Sequence, residues 1–386
     1  MAHRLRTICL IIVLWTAGLL AGGQFAKISL FLPELNGIYP HYGSHTAWLL
    51  TLVSIVGAVF GGVSAGIGNR LGLRPVLVFS LVAGGILSLW QASFPSFGIM
   101  AAARVLEGVT HLGIVVTAPA LMAQVSSHRW RGATMALWGT FFGVSFAIVA
   151  WFGIPLSSQI GVGGLFQLHG VGMIVVAVIV VVLSSRPGSS RVQGDRDEEH
   201  EASLRVPMGD ARVLWPALGW LFYTSLYLSL LTILPANLPE ALRAEVTTAM
   251  SLVGIATGLI LFPLLLLRMA ATRIVIGSFG LAALISFVGP ALGLAMMAVV
   301  LFAILGLVQS GTFAAVAQLN NSMPMRTVGF GLMAQTGNMG NLLGTPILLA
   351  VLDQFGVNTL LMAVAALYGL GVISLYLLGA SIKNAP

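Results

Sequence analysis

The sequence predicts an all-α integral membrane protein with twelve transmembrane helices in two halves of six. Three observations lead to this fold class. Hydrophobic residues make up 58% of the 386 residues and charged residues only 8%, far less charge than the surface of a soluble protein carries. Apolar runs of roughly 20 residues, long enough to cross a bilayer, recur along the chain. A single long polar stretch separates the sixth run from the seventh.

The first apolar run follows the basic segment HRLR, and it continues to Leu32. That run is longer than the apolar core of a secretory signal peptide, so we interpret it as a retained first span. Eleven further runs satisfy the same length criterion. The predicted spans are residues 8–32, 46–67, 75–94, 98–122, 132–154, 161–184, 213–236, 246–267, 273–290, 292–315, 327–351 and 357–380.

The polar stretch SSRPGSSRVQGDRDEEHEASLRVPMGDAR is rich in Ser, Gly and mixed charges, a composition typical of a flexible linker. We therefore predict an N-terminal six-helix bundle at 1–185, a cytoplasmic linker at 186–212 and a C-terminal six-helix bundle at 213–386. The halves are weakly similar, since WRGATMALWG opens span five and MRTVGFGLMAQ opens span eleven. Internal duplication of this kind is typical of secondary transporters.

The basic residues lie almost entirely on one side of the predicted spans. Of the 18 Lys and Arg residues, all but Lys27, Arg104 and Arg243 fall on the side of the N-terminus. The positive-inside rule then predicts a multi-pass protein of the inner (cytoplasmic) membrane with both termini cytoplasmic. This distribution explains the net charge of +7 without nucleic-acid binding. We expect a monomer whose partners are the lipid bilayer, a small-molecule substrate and protons.

The loop between spans two and three, AGIGNRLGLRPVL, is similar to a loop signature of the major facilitator superfamily. Arg70, Gly72 and Arg74 match that signature, whereas Asn69 stands where the family has an aspartate. The resemblance implies that these four residues form a cytoplasmic gate. Asn69 can hydrogen-bond there but carries no charge.

Two further motifs resemble the same superfamily, so the resemblance covers nearly the whole chain. RVLEG, residues 104–108, is similar to the span-four signature with its membrane-embedded arginine, and HRWRGATM, residues 128–135, to the loop into span five. The resemblance implies a secondary transporter whose spans one, four, seven and ten line a central cavity. Span five lacks the Gly-x-x-x-Gly-Pro pattern of the family's drug–proton antiporters, which argues against multidrug export.

Span four places Arg104, Glu107 and His111 in an otherwise apolar run. Offsets of three and seven residues put the three side chains within about 60° on one helix face. A charge at the bilayer centre costs roughly 2.5–3.5 kcal/mol on insertion scales. We therefore predict that this face lines a hydrated cavity, or pairs within the bundle, or both. The alternatives are an ion pair that serves packing alone and a histidine that bonds a neighbouring helix.

Span one contributes Gln24 and Lys27, with Lys27 at a height comparable with Arg104. Two cations in a low-dielectric cavity would attract an anion or an electron-rich polar solute. Glu107 would exchange a proton, and His111 would extend the proton path. The alternative for Lys27 is a lysine that snorkels toward the membrane surface.

The C-terminal half offers neutral candidates for the substrate or proton pathway. Tyr223 and Tyr227 share one face of span seven with Trp220. Packing and helix–helix hydrogen bonding are the alternative interpretations. The remaining candidates are Gln309 in span ten and Gln335 and Asn338 in span eleven.

The chain shows no phosphate-cradling G-x-x-x-x-G-K-[ST] loop and no serine nucleophile elbow, and its seven histidines are scattered. We therefore predict no enzyme activity, no metal and no cofactor, with a proton gradient as the energy source. The predicted function is secondary active transport of a small polar or anionic solute by alternating access. The alternatives are a drug or metabolite efflux permease, and a non-transporting membrane sensor or assembly factor on the same scaffold.

Overall fold

The structure, a computed structural model, describes residues 2–61, 72–127, 130–183 and 209–384. All regular secondary structure in these ranges is helical. The all-α class predicted from the composition and the apolar runs is confirmed.

The described residues up to Leu183 form nine α-helices. A 3₁₀ turn, Gly43–Ala47, precedes α3, and a π-helical turn, Val149–Gly153, connects α8 to α9. The helices are α1 (Ala2–Ser29), α2 (Leu32–Ile38), α3 (Trp48–Thr51), α4 (Ser54–Phe60), α5 (Leu73–Gln91), α6 (Phe97–Val125), α7 (Arg131–Gly139), α8 (Phe141–Ile148) and α9 (Ile154–Leu183).

Residues 209–384 form six α-helices, and a π-helical turn at Thr257–Leu261 connects the second of them to the third. These helices are α10 (Ala211–Ala236), α11 (Glu240–Ala256), α12 (Phe262–Leu266), α13 (Ala271–Leu292), α14 (Leu294–Leu319) and α15 (Met323–Asn384).

Nine helical stretches in the described parts of the chain are long and apolar enough to cross a membrane. The pair Gly43–Thr51 and Ser54–Phe60, bent by 52°, passes the same test as one span. Two of the nine stretches are long enough for two crossings each, since Phe141–Leu183 has 43 residues and Val328–Ile382 has 55. Counted this way, the described residues are consistent with twelve spans.

Each of these two long stretches is interrupted by a glycine that breaks the helix. Gly161 has φ 72° and ψ 166°, and Gly356 has φ 77° and ψ 177°. Only glycine adopts this backbone region readily, because a Cβ would clash with the backbone. Gly161 is the first residue of predicted span six, and Gly356 lies between predicted spans eleven and twelve.

Both π-helical turns stand directly before an X-Pro pair. Gly153 precedes Ile154 and Pro155, and Leu261 precedes Phe262 and Pro263. Phe262 donates its N–H to the carbonyl of Thr257, five residues earlier. The next carbonyl, that of Gly258, would receive the N–H of Pro263, which proline lacks. Ser310 of α14 supplies the missing donor, with its Oγ 3.2 Å from that oxygen.

The described residues fall into two compact units: one within Met1–Ser185 and Pro235–Leu252, the other within Arg186–Leu234 and Val253–Pro386. In the first, α1, α5, α6 and α9 pack around one apolar core; in the second, a smaller core joins α10, α14 and α15. The core of the first unit includes Leu14, Ala17, Leu77, Leu81, Ile114, Ala118, Met173 and Val180, and that of the second comprises Ala217, Val316 and Met333.

Candidate functional site

The charged side chains of α1 and α6 meet in one buried cluster. Lys27 Nζ lies 2.8 Å from Glu107 Oε1, and Arg104 donates from Nη1 to Glu107 Oε2. No side chain of the three is more than 4% exposed. Two cations thus share one carboxylate inside the first unit, and the three groups together carry a net charge of +1. Of the two environments predicted for this face, the structure shows pairing within the bundle.

The helical period of α6 explains why Arg104 reaches Glu107, since residues three apart are neighbours on one face. Two other guanidinium nitrogens of Arg104 donate to backbone carbonyls. Nε donates to the carbonyl of Leu49 at 2.7 Å, and Nη2 donates to that of Gln24 at 2.8 Å. Leu49 lies in the last turn of α3, which ends at Thr51. Carbonyls in the last turn of a helix have no N–H partner within that helix. Arg104 therefore ties span four to spans one and two.

Two residues of α5 complete the surroundings of the lysine. The Lys27 ammonium donates to Ser88 Oγ at 2.9 Å and to Gln91 Oε1 at 3.0 Å, in addition to Glu107. These bonds use all three of its protons. Gln91 donates in turn to Glu107 Oε2 at 2.7 Å, which closes a ring of three side chains. Lys27 also lies 4.8 Å from the ring centre of Phe166, so it is held inside and does not snorkel.

A second set of hydrogen bonds connects Gln24 and His111 to this cluster. Gln24 Nε2 donates to Thr110 Oγ1 at 3.1 Å, and Thr110 donates to the backbone carbonyl of Glu107 at 2.8 Å. His111 Nδ1 lies 3.0 Å from Gln24 Oε1, and its ring packs edge-on against Phe25. Gln24 and Phe25 both belong to span one, so the link from His111 to the carboxylate of Glu107 passes through other groups.

The structure adds a histidine that we did not predict. His169 of α9 lies with Nδ1 3.0 Å from Ser88 Oγ and Nε2 2.8 Å from the carbonyl of Leu20. One sequence feature points to this region of the site: the polar residues Ser88 and Gln91 share one face of an apolar span. No group of three or more His, Cys, Asp or Glu side chains suited to a metal ion lies within the described ranges.

Two tyrosines of α10, in the second unit, stack in a column with a tryptophan of the same helix. Tyr223 and Tyr227 have ring centres 5.0 Å apart, and Trp220 stacks on Tyr223 at 4.8 Å. Tyr227 packs against Phe302 of α14 at 4.9 Å. The structure therefore brings the three predicted span-seven rings together.

The three predicted amides of the second unit lie on other helices. Gln309 is half-buried on α14, and Gln335 and Asn338 are half-buried on α15. Asn338 donates to Ala334 of its own helix at 2.8 Å. Their part in a substrate or proton pathway stays a prediction.

Of the four predicted gate residues, Asn69 and Arg70 lie outside the described residues. Gly72 precedes α5 with φ 85°, a value that favours glycine. Arg74 donates from Nη2 to the carbonyl of Val181 at 2.8 Å, in the last turn of α9. A cation there complements the negative end of the helix dipole. The gate function of this loop stays a prediction.

Comparison with known proteins gives one family and one fold. A family model described as Major Facilitator Superfamily matches residues 14–345. A solved structure, described as the crystal structure of the human organic anion transporter MFSD10 (TETRAN), is similar with a TM-score of 0.67 at 17% sequence identity. The match covers 96% of this chain and 99% of that one, and at this identity it shows the fold alone. No curated protein matches the sequence.

Proposed function

Because this chain belongs to the Major Facilitator Superfamily of secondary transporters, we propose that it carries a small organic anion across the membrane together with a proton. Family membership supports transport by alternating access in a multi-pass membrane protein. The choice of an anion and of proton coupling rests on the buried cluster of Lys27, Arg104 and Glu107. The cytoplasmic location of both termini rests on the distribution of Lys and Arg.

The ratio of two cations to one carboxylate is the observation that carries the proposal. Removing one partner from a buried ion pair costs about 3–5 kcal/mol, because the remaining charge is left uncompensated. Protonation of Glu107 has the same electrostatic effect on Lys27 and Arg104 as removal of the carboxylate. The two cations then gain most from a new anion, so binding of the proton favours binding of the anionic solute.

The contacts of Glu107 also suggest the chemistry of the anionic group of the solute. Glu107 accepts a hydrogen bond from Lys27 at one carboxylate oxygen and one from Arg104 at the other. A solute that replaces it needs two acceptor oxygens at carboxylate spacing, which guanidinium groups bind well. We therefore favour a small monocarboxylic acid over a sugar or a cation. The similar human structure is described as an organic anion transporter, which agrees with this proposal. At 17% identity the similarity shows the fold alone.

One observation favours the second candidate, a drug or metabolite efflux permease. The column of Trp220, Tyr223 and Tyr227 offers aromatic faces on which a flat apolar solute would stack. Such a solute would not depend on the net charge of the cluster in the first unit. The two candidates therefore differ in the chemistry of the solute that they predict.

The test is solute counterflow into proteoliposomes that contain the purified protein. Organic acids, sugars, amino acids and cationic dyes are compared at equal concentration. We expect counterflow of at least one monocarboxylate, and accumulation when the outside is made more acidic than the inside. Counterflow of dyes without organic acids would favour the efflux permease. Counterflow of no solute at all would favour a non-transporting protein.

The variant Glu107→Gln separates proton coupling from anion binding. It keeps the size of the side chain but carries no charge and no exchangeable carboxyl proton. We expect it to exchange the anion across the membrane without accumulation by a pH gradient. Glu34→Gln is the matched control, because Glu34 is an exposed carboxylate near the end of span one. Gradient-driven accumulation by Glu107→Gln would overturn the role of Glu107 as proton carrier.

A further inference from the structure

Ser88 stands at a branch point of the buried network. Its Oγ accepts a hydrogen bond from Lys27 at 2.9 Å and lies 2.9 Å from the carbonyl of Phe166 and 3.0 Å from His169 Nδ1. A hydroxyl has one proton, so it can donate to only one of two acceptors at a time. The rotation of this hydroxyl therefore depends on whether His169 accepts or donates.

The backbone fixes which nitrogen of His169 is permanently protonated. Nε2 lies 2.8 Å from the carbonyl of Leu20, which can only accept, so Nε2 carries the hydrogen. Nδ1 is then the nitrogen that can gain or lose a proton. In the neutral ring, Nδ1 accepts from Ser88. In the imidazolium, Nδ1 donates to Ser88, whose own proton turns to Phe166. His169 can change charge without losing either hydrogen bond.

Close helix packing holds this arrangement in place. A Cβ on Gly85 would lie 2.8 Å from the carbonyl of Gly170, and one on Gly170 would lie 2.7 Å from that of Gly85. The backbones of α5 and α9 are therefore in contact one turn from Ser88 and one residue from His169. A Cβ on Gly23 would lie 3.0 Å from His169 Cδ2, so glycine in α1 makes room for the imidazole.

The charged groups that act on His169 lie on α1, which packs against α9, and on α6. They are Lys27 of α1 and Arg104 and Glu107 of α6. Two of the three are cations, which oppose a positive charge on the imidazole, and the carboxylate favours one. An imidazolium at this position is therefore poised to pass its proton toward Glu107.

We propose that His169 is the proton donor at the start of a relay that runs through Ser88 and Lys27 to Glu107. Lys27 gives a proton to Glu107 across their 2.8 Å contact. The Lys27 amine recovers a proton from Ser88, and Ser88 takes the Nδ1 proton of the His169 imidazolium. One proton passes from His169 to Glu107, and Lys27 and Ser88 regain their original protonation. This inference rests on the proposed proton-coupled function and names the residue that supplies the proton.

The relay differs from the path that the sequence suggested, in which His111 extends the proton route. The contacts of His111 lead to the neutral amide of Gln24, whose Nε2 donates to Thr110. An amide does not readily give up a proton, so this chain of contacts is a poor path for proton transfer. His169 is connected to the carboxylate through a hydroxyl and an amine, which both exchange protons.

The test compares His169→Gln with His111→Gln and with His41→Gln in proteoliposomes. A glutamine can still donate to the Leu20 carbonyl and accept from Ser88, but it cannot carry a proton. His41 is an exposed histidine outside the spans and serves as the matched control. Two readouts are taken from each sample: counterflow of the best monocarboxylate, and proton entry into dye-loaded vesicles during uptake of that anion.

We expect His169→Gln to keep counterflow and to lose about 100-fold or more in coupled proton entry, since a positioned proton-transfer group typically contributes about 10²–10⁴-fold. Ser88→Ala should give the same separation and replaces His169→Gln as the test if the latter does not fold. Full proton entry in both variants, or its loss in His111→Gln alone, would overturn the relay. Absence of counterflow in the unmodified protein would instead overturn the proposed function, so the two failures are distinguishable.

Discussion

Lys27 and Glu107, 80 residues apart in the chain, form a buried ion pair of 2.8 Å between spans one and four. Arg104 shares the same carboxylate, so the two cations depend on one anion. Each single substitution in this cluster therefore changes its net charge in a defined direction. Loss of the carboxylate leaves two uncompensated cations, whereas loss of the lysine leaves a balanced pair.

We predict that Glu107→Gln destabilises the protein more than Lys27→Met does. The first leaves a net charge of +2 inside the bundle, and the second leaves Arg104 paired with Glu107 at net zero. The expected difference is about 3 kcal/mol, the cost of an uncompensated buried charge. Thermal unfolding in detergent measures the order of the two variants. The double variant should be more stable than Glu107→Gln alone, because it carries one unpaired cation in place of two.

We predict that Gly344→Ala destabilises the second unit by about 1–3 kcal/mol, the usual cost of overpacking. A Cβ at Gly344 would overlap the carbonyl of Ser225 on α10, so α10 and α15 would have to separate. Gly369→Ala is the matched control on the same helix, since a Cβ there meets no atom within 4 Å. Equal unfolding temperatures for the two variants would contradict a tight contact between these helices.

We predict that Ser310→Ala costs about 1–3 kcal/mol, because it leaves the Gly258 carbonyl buried without its donor. Pro263→Ala restores a backbone N–H and allows the turn to close with its own hydrogen bond. The double variant should therefore lose less stability than the sum of the two single variants. A double-mutant cycle from thermal unfolding measures this coupling. Strict additivity would show that Ser310 does not compensate for the proline.

We predict that Gly356→Ala destabilises the protein by about 1–3 kcal/mol, the cost of a positive-φ backbone region that almost only glycine occupies. The space around Gly356 is open, so the backbone angle of φ 77° is the cause of the effect. Gly280→Ala, inside the regular helix α13 and equally open, is the control. A variant at Gly356 as stable as the one at Gly280 would contradict a fixed break between spans eleven and twelve.

Several features of the site follow from local sequence. Arg104, Glu107 and His111 share a face because an α-helix has 3.6 residues per turn, and the structure places all three in the interior. The depth of Lys27 in span one placed it at the height of Arg104, and the family resemblance implied that spans one and four face one cavity. A charge this deep in hydrocarbon needs a partner, and one carboxylate lies at that height.

Ser88, Gln91 and His169 were beyond prediction for a physical reason. Periodicity within a span shows which side chains share a face, but it does not show which helix packs against that face. Ser88 reaches His169 because Gly85 and Gly170 allow two backbones to touch, and that contact joins residues 81 positions apart.

The sequence by itself determined the membrane environment and the positions of the spans, because the length of an apolar run and the bilayer thickness are local quantities. Pro155 and Pro263 lack a backbone N–H whatever the fold, so each removes one helical hydrogen bond. Only the tertiary structure decided what replaces that bond and which groups surround Glu107. Those partners come from other helices, and they are selected by side-chain packing and by the cost of leaving a polar group unpaired in a low-dielectric interior.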